Sequence, residues 1–182
     1  MKHLILFFSA AVFLIFAESA VSAQQIVYAD ASAFPLYGKV SEDTDGRYER
    51  LPSHLKTVSR EPVWYLGRNS AGLYIRFRSN STSIHLRWES MFNNSMTHMT
   101  DTGTKGLDLY ALQDGEWRHV CSAQPQGKKS ERAVIRYMDP IEREYMLYLS
   151  LYDGISSLEI GVDEGASLDM PAVDSPSSER PV

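Results

Sequence analysis

Lys105-Gly106-Leu107-Asp108-Leu109-Tyr110-Ala111-Leu112-Gln113-Asp114-Gly115-Glu116-Trp117 is the stretch that decides the fold. Leu107, Leu109 and Ala111 alternate with Asp108, Tyr110 and Leu112, the period-2 pattern of a strand that buries one face. Asp114-Gly115 then supplies two residues that tolerate positive φ, as a type I′ turn requires, so the chain is expected to fold back as a hairpin. Trp117 to Cys121 is the expected return strand, with Trp117, His119 and Cys121 on one face. Asp108, between two leucines, has two readings. It is a solvated residue on the outer face, or it lines with Tyr110 a surface turned towards another domain or a ligand.

The same alternation continues on both sides of this hairpin. Leu73, Ile75 and Phe77 alternate with Tyr74, Arg76 and Arg78, and after Ser79-Asn80-Ser81 come Ile84, Leu86 and Trp88 alternating with His85 and Arg87. This predicts a second antiparallel hairpin, with the arginines on a solvated face. Downstream, Gln124 to Arg132 reads as a polar loop, Ala133 to Met138 and Glu144 to Tyr152 as strands, and Asp153-Gly154 as another Asp-Gly turn. Leu158, Ile160 and Val162 mark the last strand. Upstream, Gln24 to Lys39 reads as an extended arm carrying aromatics, and Ser41 to Asn69 as turn-rich chain with a short strand over Val63 to Leu66. Six to eight short strands without a convincing helix predict an all-β protein, an antiparallel β-sandwich of jelly-roll-like kind.

One segment fits neither template. Between Glu89 and Lys105, Met91, Phe92, Asn94, Met96, His98 and Met99 place a heavy apolar load on irregular chain. Such a loop closes the edge of the core, or it docks a partner, for which methionine's adaptable side chain is suited.

The two ends have other purposes. Lys2, the apolar run from Leu4 to Ala17 and Val21-Ser22-Ala23 have the three parts of a secretory signal peptide, with cleavage expected after Ala23 and export to periplasm or medium. The run is too short to span a bilayer as a helix. A sandwich is then expected over residues 24–163, and the proline- and serine-rich 164–182 as a linker. The net charge of −5 argues against nucleic acid or an anionic membrane surface as partner. A single cysteine, Cys121, excludes an internal disulfide and reads as a small core residue.

Catalytic chemistry is hard to place. No Gly-x-Ser-x-Gly elbow occurs, the four histidines after the leader lie at least 13 residues apart, and Gly127-Lys128-Lys129-Ser130 lacks the first glycine of a phosphate loop. No cofactor and no metal is implied, and no catalytic residue is assigned.

Taken in order, Tyr48-Glu49-Arg50-Leu51-Pro52, Val63-Trp64-Tyr65-Leu66, Asn69-Ser70-Ala71-Gly72-Leu73, Gly106-Leu107-Asp108-Leu109-Tyr110, Tyr145-Met146-Leu147-Tyr148-Leu149, Leu151-Tyr152-Asp153-Gly154 and Leu158-Glu159-Ile160-Gly161-Val162 form a recognisable set. The chain resembles the N-terminal GxDLY domain that precedes the catalytic domain of certain bacterial SGNH-type, GDSL-like esterases. The resemblance implies a jelly-roll-like sandwich, a linker and a following α/β/α hydrolase domain. That domain carries the nucleophile in a Gly-Asp-Ser or Gly-Thr-Ser block and the base in an Asp-x-x-His block, neither of which occurs here.

The first expectation is therefore a non-catalytic accessory domain whose partner is an SGNH catalytic domain. Met91, Asn94, Met96, His98, Met99, Asp108 and Tyr110 would dock it or line its cleft. A second is a carbohydrate-binding module taking a glycan or acylated glycan, with Trp64, Trp88, Trp117 and the tyrosines as stacking platform, and a third is a plain secreted structural protein. An exposed aromatic strip would favour the binding module, and an apolar patch around Met91 to Met99 beside the C-terminus the accessory domain.

Overall fold

The computed structural model describes residues 24–172; the expected signal peptide and the last ten residues lie outside the described residues. Alternating apolar side chains produce nine strands: β1 (Ile26–Asp30), β2 (Leu36–Tyr37), β3 (Tyr74–Ser79), β4 (Ile84–Ser90), β5 (Leu107–Gln113), β6 (Glu116–Ala123), β7 (Lys129–Ile135), β8 (Arg143–Tyr148) and β9 (Ile155–Asp163). Two short α-helices, α1 (Glu61–Gly67) and α2 (Asp101–Lys105), and two 3-10 turns at Ala31–Ala33 and Ser53–Thr57 sit in the connections of the described residues. The strands form two sheets, of order β1-β9-β4-β7 and β2-β3-β8-β5-β6, with every pairing antiparallel. The protein is an all-β sandwich, and the described residues hold one more strand than the six to eight the sequence predicts.

The inner faces follow the sequence pattern. Leu73, Ile75, Phe77, Leu107, Leu109, Tyr145 and Leu147 of the five-stranded sheet meet Ile84, Leu86, Trp88, Leu158, Ile160 and Val162 of the other, all nearly inaccessible to solvent. Phe77 stacks on Tyr145 with ring centroids 5.2 Å apart. Burying each of these side chains contributes roughly 1.5–3 kcal/mol, and with no disulfide this layer is the main source of stability.

The hairpin of β5 and β6 forms as expected, with Asp114 at φ 53° and Gly115 at φ 81° in its turn. One expectation about it fails. Leu109 pairs with Cys121 but Tyr110 pairs with His119, so Val120 is an extra residue in a bulge. The bulge puts Cys121 on the core side with Leu109 and leaves His119 outside with Tyr110.

The second predicted hairpin does not exist. β3 and β4 belong to different sheets, and the segment between them crosses the end of the sandwich. Asp163, at the end of β9, holds this crossing. Its carboxylate accepts the backbone N–H groups of Thr82 (2.8 Å) and Ser83 (3.0 Å) and the hydroxyls of Ser81, Thr82 and Ser83 (2.6–2.9 Å). Burial pushes that carboxyl up, but the hydrogen bonds from Ser83, Thr82 and Ser81 outweigh it and leave the group below its ordinary range.

Asp153-Gly154 is likewise no hairpin turn. Neither residue has positive φ, and β8 and β9 lie in opposite sheets. Val63 to Leu66 is helical within α1, which Pro62 opens at a position where proline's missing N–H does no harm. β7 begins at Lys129, inside the predicted polar loop, and the predicted arm contains β1, paired to β9 through all five residues. Nor are all the arginines solvated. Arg76 is only 5% exposed, paired with Glu144 and packed against the rings of Tyr37 and Trp117.

Candidate functional site

The sequence-predicted residues fall into two groups. Met91, Asn94, Met96, His98 and Met99 lie in the loop after β4, at the end of the sandwich where β8 finishes and β9 begins. Asp108 and Tyr110 are in β5, on the outer face of the five-stranded sheet.

Asp153 fixes the end loop. This wholly buried residue accepts the backbone N–H of Phe92 on Oδ1 (2.9 Å) and that of Asn94 on Oδ2 (2.7 Å). Between them Asn93 takes φ 60°, a left-handed conformation that asparagine tolerates, and its Oδ1 accepts from Lys105 Nζ at 2.7 Å. Lys105 is itself buried and ion-paired with Asp101 at 3.2 Å. Asn94 joins three segments, because its side-chain amide donates to the Tyr152 carbonyl (2.9 Å) and accepts from the Tyr65 hydroxyl (2.8 Å). Met91 is half-buried against Gly154, Met96 and Met99 pair across a tight turn, and His98 at its tip is exposed. The Tyr65 ring lies 4.4 Å from that of Phe92, and Val63, Leu66, Leu151 and Tyr152 are exposed on α1 and the turn before β9. The loop is therefore a pinned rim with apolar side chains around it.

The outer face of the five-stranded sheet holds a second arrangement. Alternation along each strand brings one ring per strand outward. Tyr37 stacks on Tyr74 (5.2 Å), Tyr74 packs on Tyr148 (5.0 Å), Tyr148 meets Tyr110 edge-on (5.7 Å) and Tyr110 meets His119 edge-on (5.3 Å). The result is an aromatic row across β2, β3, β8, β5 and β6. Beneath it Met146 is fully buried although it faces away from the core, and the Arg76–Glu144 pair is nearly so. Burial raises the hydroxyl pKa values of Tyr148 and Tyr110, with like-sign neighbours adding to the effect, Asp108 in the case of Tyr110.

Of this row, sequence reasoning singled out Tyr110, offered the other tyrosines, Tyr37, Tyr74 and Tyr148, only collectively as a stacking platform, and missed His119. The signal was available for the three tyrosines, each at an outward phase of its strand. What the sequence lacks is the strand order that lines them up. The three tryptophans do not share a face. Trp88 is in the core, Trp64 lies by Lys56, and Trp117 is half-buried on the outer face.

Among the described residues two Ser-His-Asp groupings occur, and neither has the connectivity of a catalytic triad. Ser122 Oγ donates to Asp108 Oδ1 at 2.5 Å and lies 3.2 Å from His119 Nε2. Ser83 Oγ donates to Asp163 Oδ1 at 2.6 Å and lies 3.1 Å from His85 Nε2. In both the serine stands between acid and imidazole, with its proton committed to the carboxylate, whereas hydrolysis needs the histidine in the middle to take that proton. Burial and Arg136 further lower the His85 pKa. A groove of about 400 Å³ on the outer face of the four-stranded sheet is lined by Arg87, Trp88, Glu89, Lys129, Glu131 and Glu159 and contains none of the predicted docking residues. Among the described residues no cluster of His, Cys, Asp and Glu could hold a metal ion.

The Gly106-to-Tyr110 motif now has a physical account. A Cβ on Gly106 would lie 2.3 Å from the Thr102 carbonyl oxygen and 2.8 Å from that of Ala123, so only glycine fits. Leu107 and Leu109 enter the core, Asp108 fastens β5 to β6 through Ser122, and Tyr110 joins the aromatic row.

Comparison with known proteins agrees with this architecture. A GDSL-like lipase from Bacteroides ovatus superposes with a TM-score of 0.77 at 34% identity, over 81% of this chain and 44% of that one. A salicylyl-acyltransferase from a tetracycline biosynthetic pathway shares the fold, with a TM-score of 0.52 at 18% identity over 83% of this chain and 42% of that one. The chain thus spans less than half the length of either structure. No curated protein matches it significantly. The family model GxDLY, the N-terminus of SGNH-hydrolase-type esterases, matches residues 26–168, and the chain belongs to that family.

Proposed function

We propose that this chain is the non-catalytic accessory part of an exported SGNH-type esterase, packing beside the catalytic domain and helping to form its substrate cleft. The observation that carries the reading is the rim around Met91, Asn94, Met96, His98 and Met99. A loop with exposed apolar neighbours is held rigid by a buried carboxylate, as a surface made in advance for a partner would be. Ligand pockets tend to form where two domains meet, and a fixed wall gives a cleft a constant shape. Asp108 and Tyr110 extend that wall onto the sheet face. Both serine-histidine contacts have the wrong order for acyl transfer, which supports a role without chemistry of its own.

The aromatic row gives the second reading, a platform on which sugar rings stack, an independent secreted carbohydrate-binding module taking a glycan or acylated glycan. An ester-hydrolysis assay separates the two. The purified protein is tested on a short-chain nitrophenyl ester, alone and mixed with the separately expressed catalytic part of the Bacteroides ovatus lipase. The expected result is silence alone and a gain on mixing. Activity of the chain alone would refute the non-catalytic reading, and no gain on mixing would move the glycan platform to first place.

A further inference from the structure

We infer that the aromatic row on the five-stranded sheet is the seat of the catalytic domain, with the end loop as its margin. The inference rests on the accessory reading and names the surface that reading leaves open.

The path of the chain after β9 carries the argument. Asp163 ends β9 at the sandwich end opposite to the Met91–Met99 loop. From there Ser167 caps Ser79 and Asn80, and Asp169 pairs with Arg78 along the edge of β3 that β2 leaves free. Arg78 Nε then donates to the Met170 carbonyl at 2.8 Å, and the N–H of Ala172 donates to Glu144 Oε2 at 3.4 Å. Glu144, Met146 and Tyr148 are the outward residues of β8, so the chain is delivered onto the outer face, two to four residues along β8 from the row. The last described residue, Ala172, thus lies on this face, and a domain that follows in the same chain, as the family places it, is approached from here. The end loop lies farther on, past the row and the end of β8.

The face itself has unusual composition for a solvated one. It buries a methionine and an ion pair beneath half-exposed rings, and Trp117 and Tyr37 roof Arg76. Amphipathic rings with their hydroxyls at the rim are the residue types that dominate interface energetics. Size agrees too. Three inter-strand spacings of about 4.8 Å over strands of about 20 Å, with the two-residue β2 adding a short edge, give a platform of roughly 320 Å². Inter-domain interfaces bury roughly 300–750 Å² on each side, so the platform alone reaches the lower part of that range.

The test compares the full 182-residue chain with the same chain joined at Val182 to the catalytic part of the Bacteroides ovatus lipase, and reads hydroxyl-radical modification of individual tyrosines. In the joined protein Tyr74, Tyr110 and Tyr148 are expected to be modified several-fold less than in the chain alone, while Tyr28 on the other sheet is unchanged. In trans, a Tyr74→Ser, Tyr148→Ser variant is expected to bind the catalytic part about tenfold or more weakly. Protection of Tyr65 and Tyr152 without the row would place the catalytic domain on the end loop. This inference would then fall and the accessory reading stand. Protection of no tyrosine would overturn both. Protection of the row by soluble oligosaccharides added to the chain alone would make it a glycan platform and would also overturn the inference.

Discussion

Replacing Asp153 by alanine removes the acceptor of two backbone N–H groups, those of Phe92 and Asn94, from a site with no solvent access. Hydrogen bonds to a charged group are worth about 1.5–3 kcal/mol each, so the pair amounts to about 3–6 kcal/mol. Phe92 and Asn94 are only half-buried, so their freed donors recover part of this from water, and a net loss of about 2–4 kcal/mol is expected. The loss should be local. The Asp153 carbonyl, which accepts from the backbone of Ser70 and the hydroxyl of Ser150, is untouched by the substitution. Asp153→Asn keeps one carboxyl-like acceptor and should lose about half as much. Urea unfolding gives the global figure, and amide exchange resolved by residue should show residues 91–99 opening while β3 and β8 stay protected. A loss below about 0.5 kcal/mol with unchanged exchange in the loop would refute the claim that this carboxylate fixes the rim.

Other expectations follow from the same contacts. Asp163 has a folded pKa below its ordinary 3.8, so its contribution to stability is fully present above about pH 4 and is lost as pH falls through the lower folded value. Urea midpoints between pH 5 and pH 2 should fall less steeply in Asp163→Asn, which starts from a lower stability. Removing one partner of the buried Arg76–Glu144 pair, as in Glu144→Gln, should destabilise by about 3–5 kcal/mol, read by thermal or urea unfolding. Gly106→Ala should destabilise by about 1–3 kcal/mol or more through its contact with two carbonyl oxygens, again by unfolding. Tyr28 should ionise at about 12 in an alkaline absorbance titration, because burial and its hydrogen bond to Glu131 favour the neutral form. Glu131→Gln should bring that value down.

What was legible in the sequence is what depends on neighbours in the chain. The alternation at Leu107–Leu109 and at Ile84, Leu86 and Trp88 names the inner faces, and Asp114-Gly115 names its own turn. What escaped depends on residues far away. Ser79 to Ser83 has turn composition, but its partner Asp163 lies 80 residues on and draws it across the sandwich end instead of into a hairpin. Asp153-Gly154 looks like Asp114-Gly115, yet its carboxylate is occupied by the loop some 60 residues earlier. The candidate site divides in the same way. Asp108 and Tyr110 stand out in their own strand, whereas the row that Tyr110 belongs to is assembled by strand order, which periodicity does not encode.

The position of β9 has a consequence for synthesis. This last strand lies between β1 and β4, and pairs with both along most of its length. Until it has left the ribosome, the first strand of the domain has no neighbour, and the aspartates just before and at the end of β9 cannot hold either end. The four-stranded sheet therefore cannot close in stages from its N-terminus. A nascent chain leaves β1 unpaired until residues near 163 emerge, although every strand of the other sheet is complete by Tyr148.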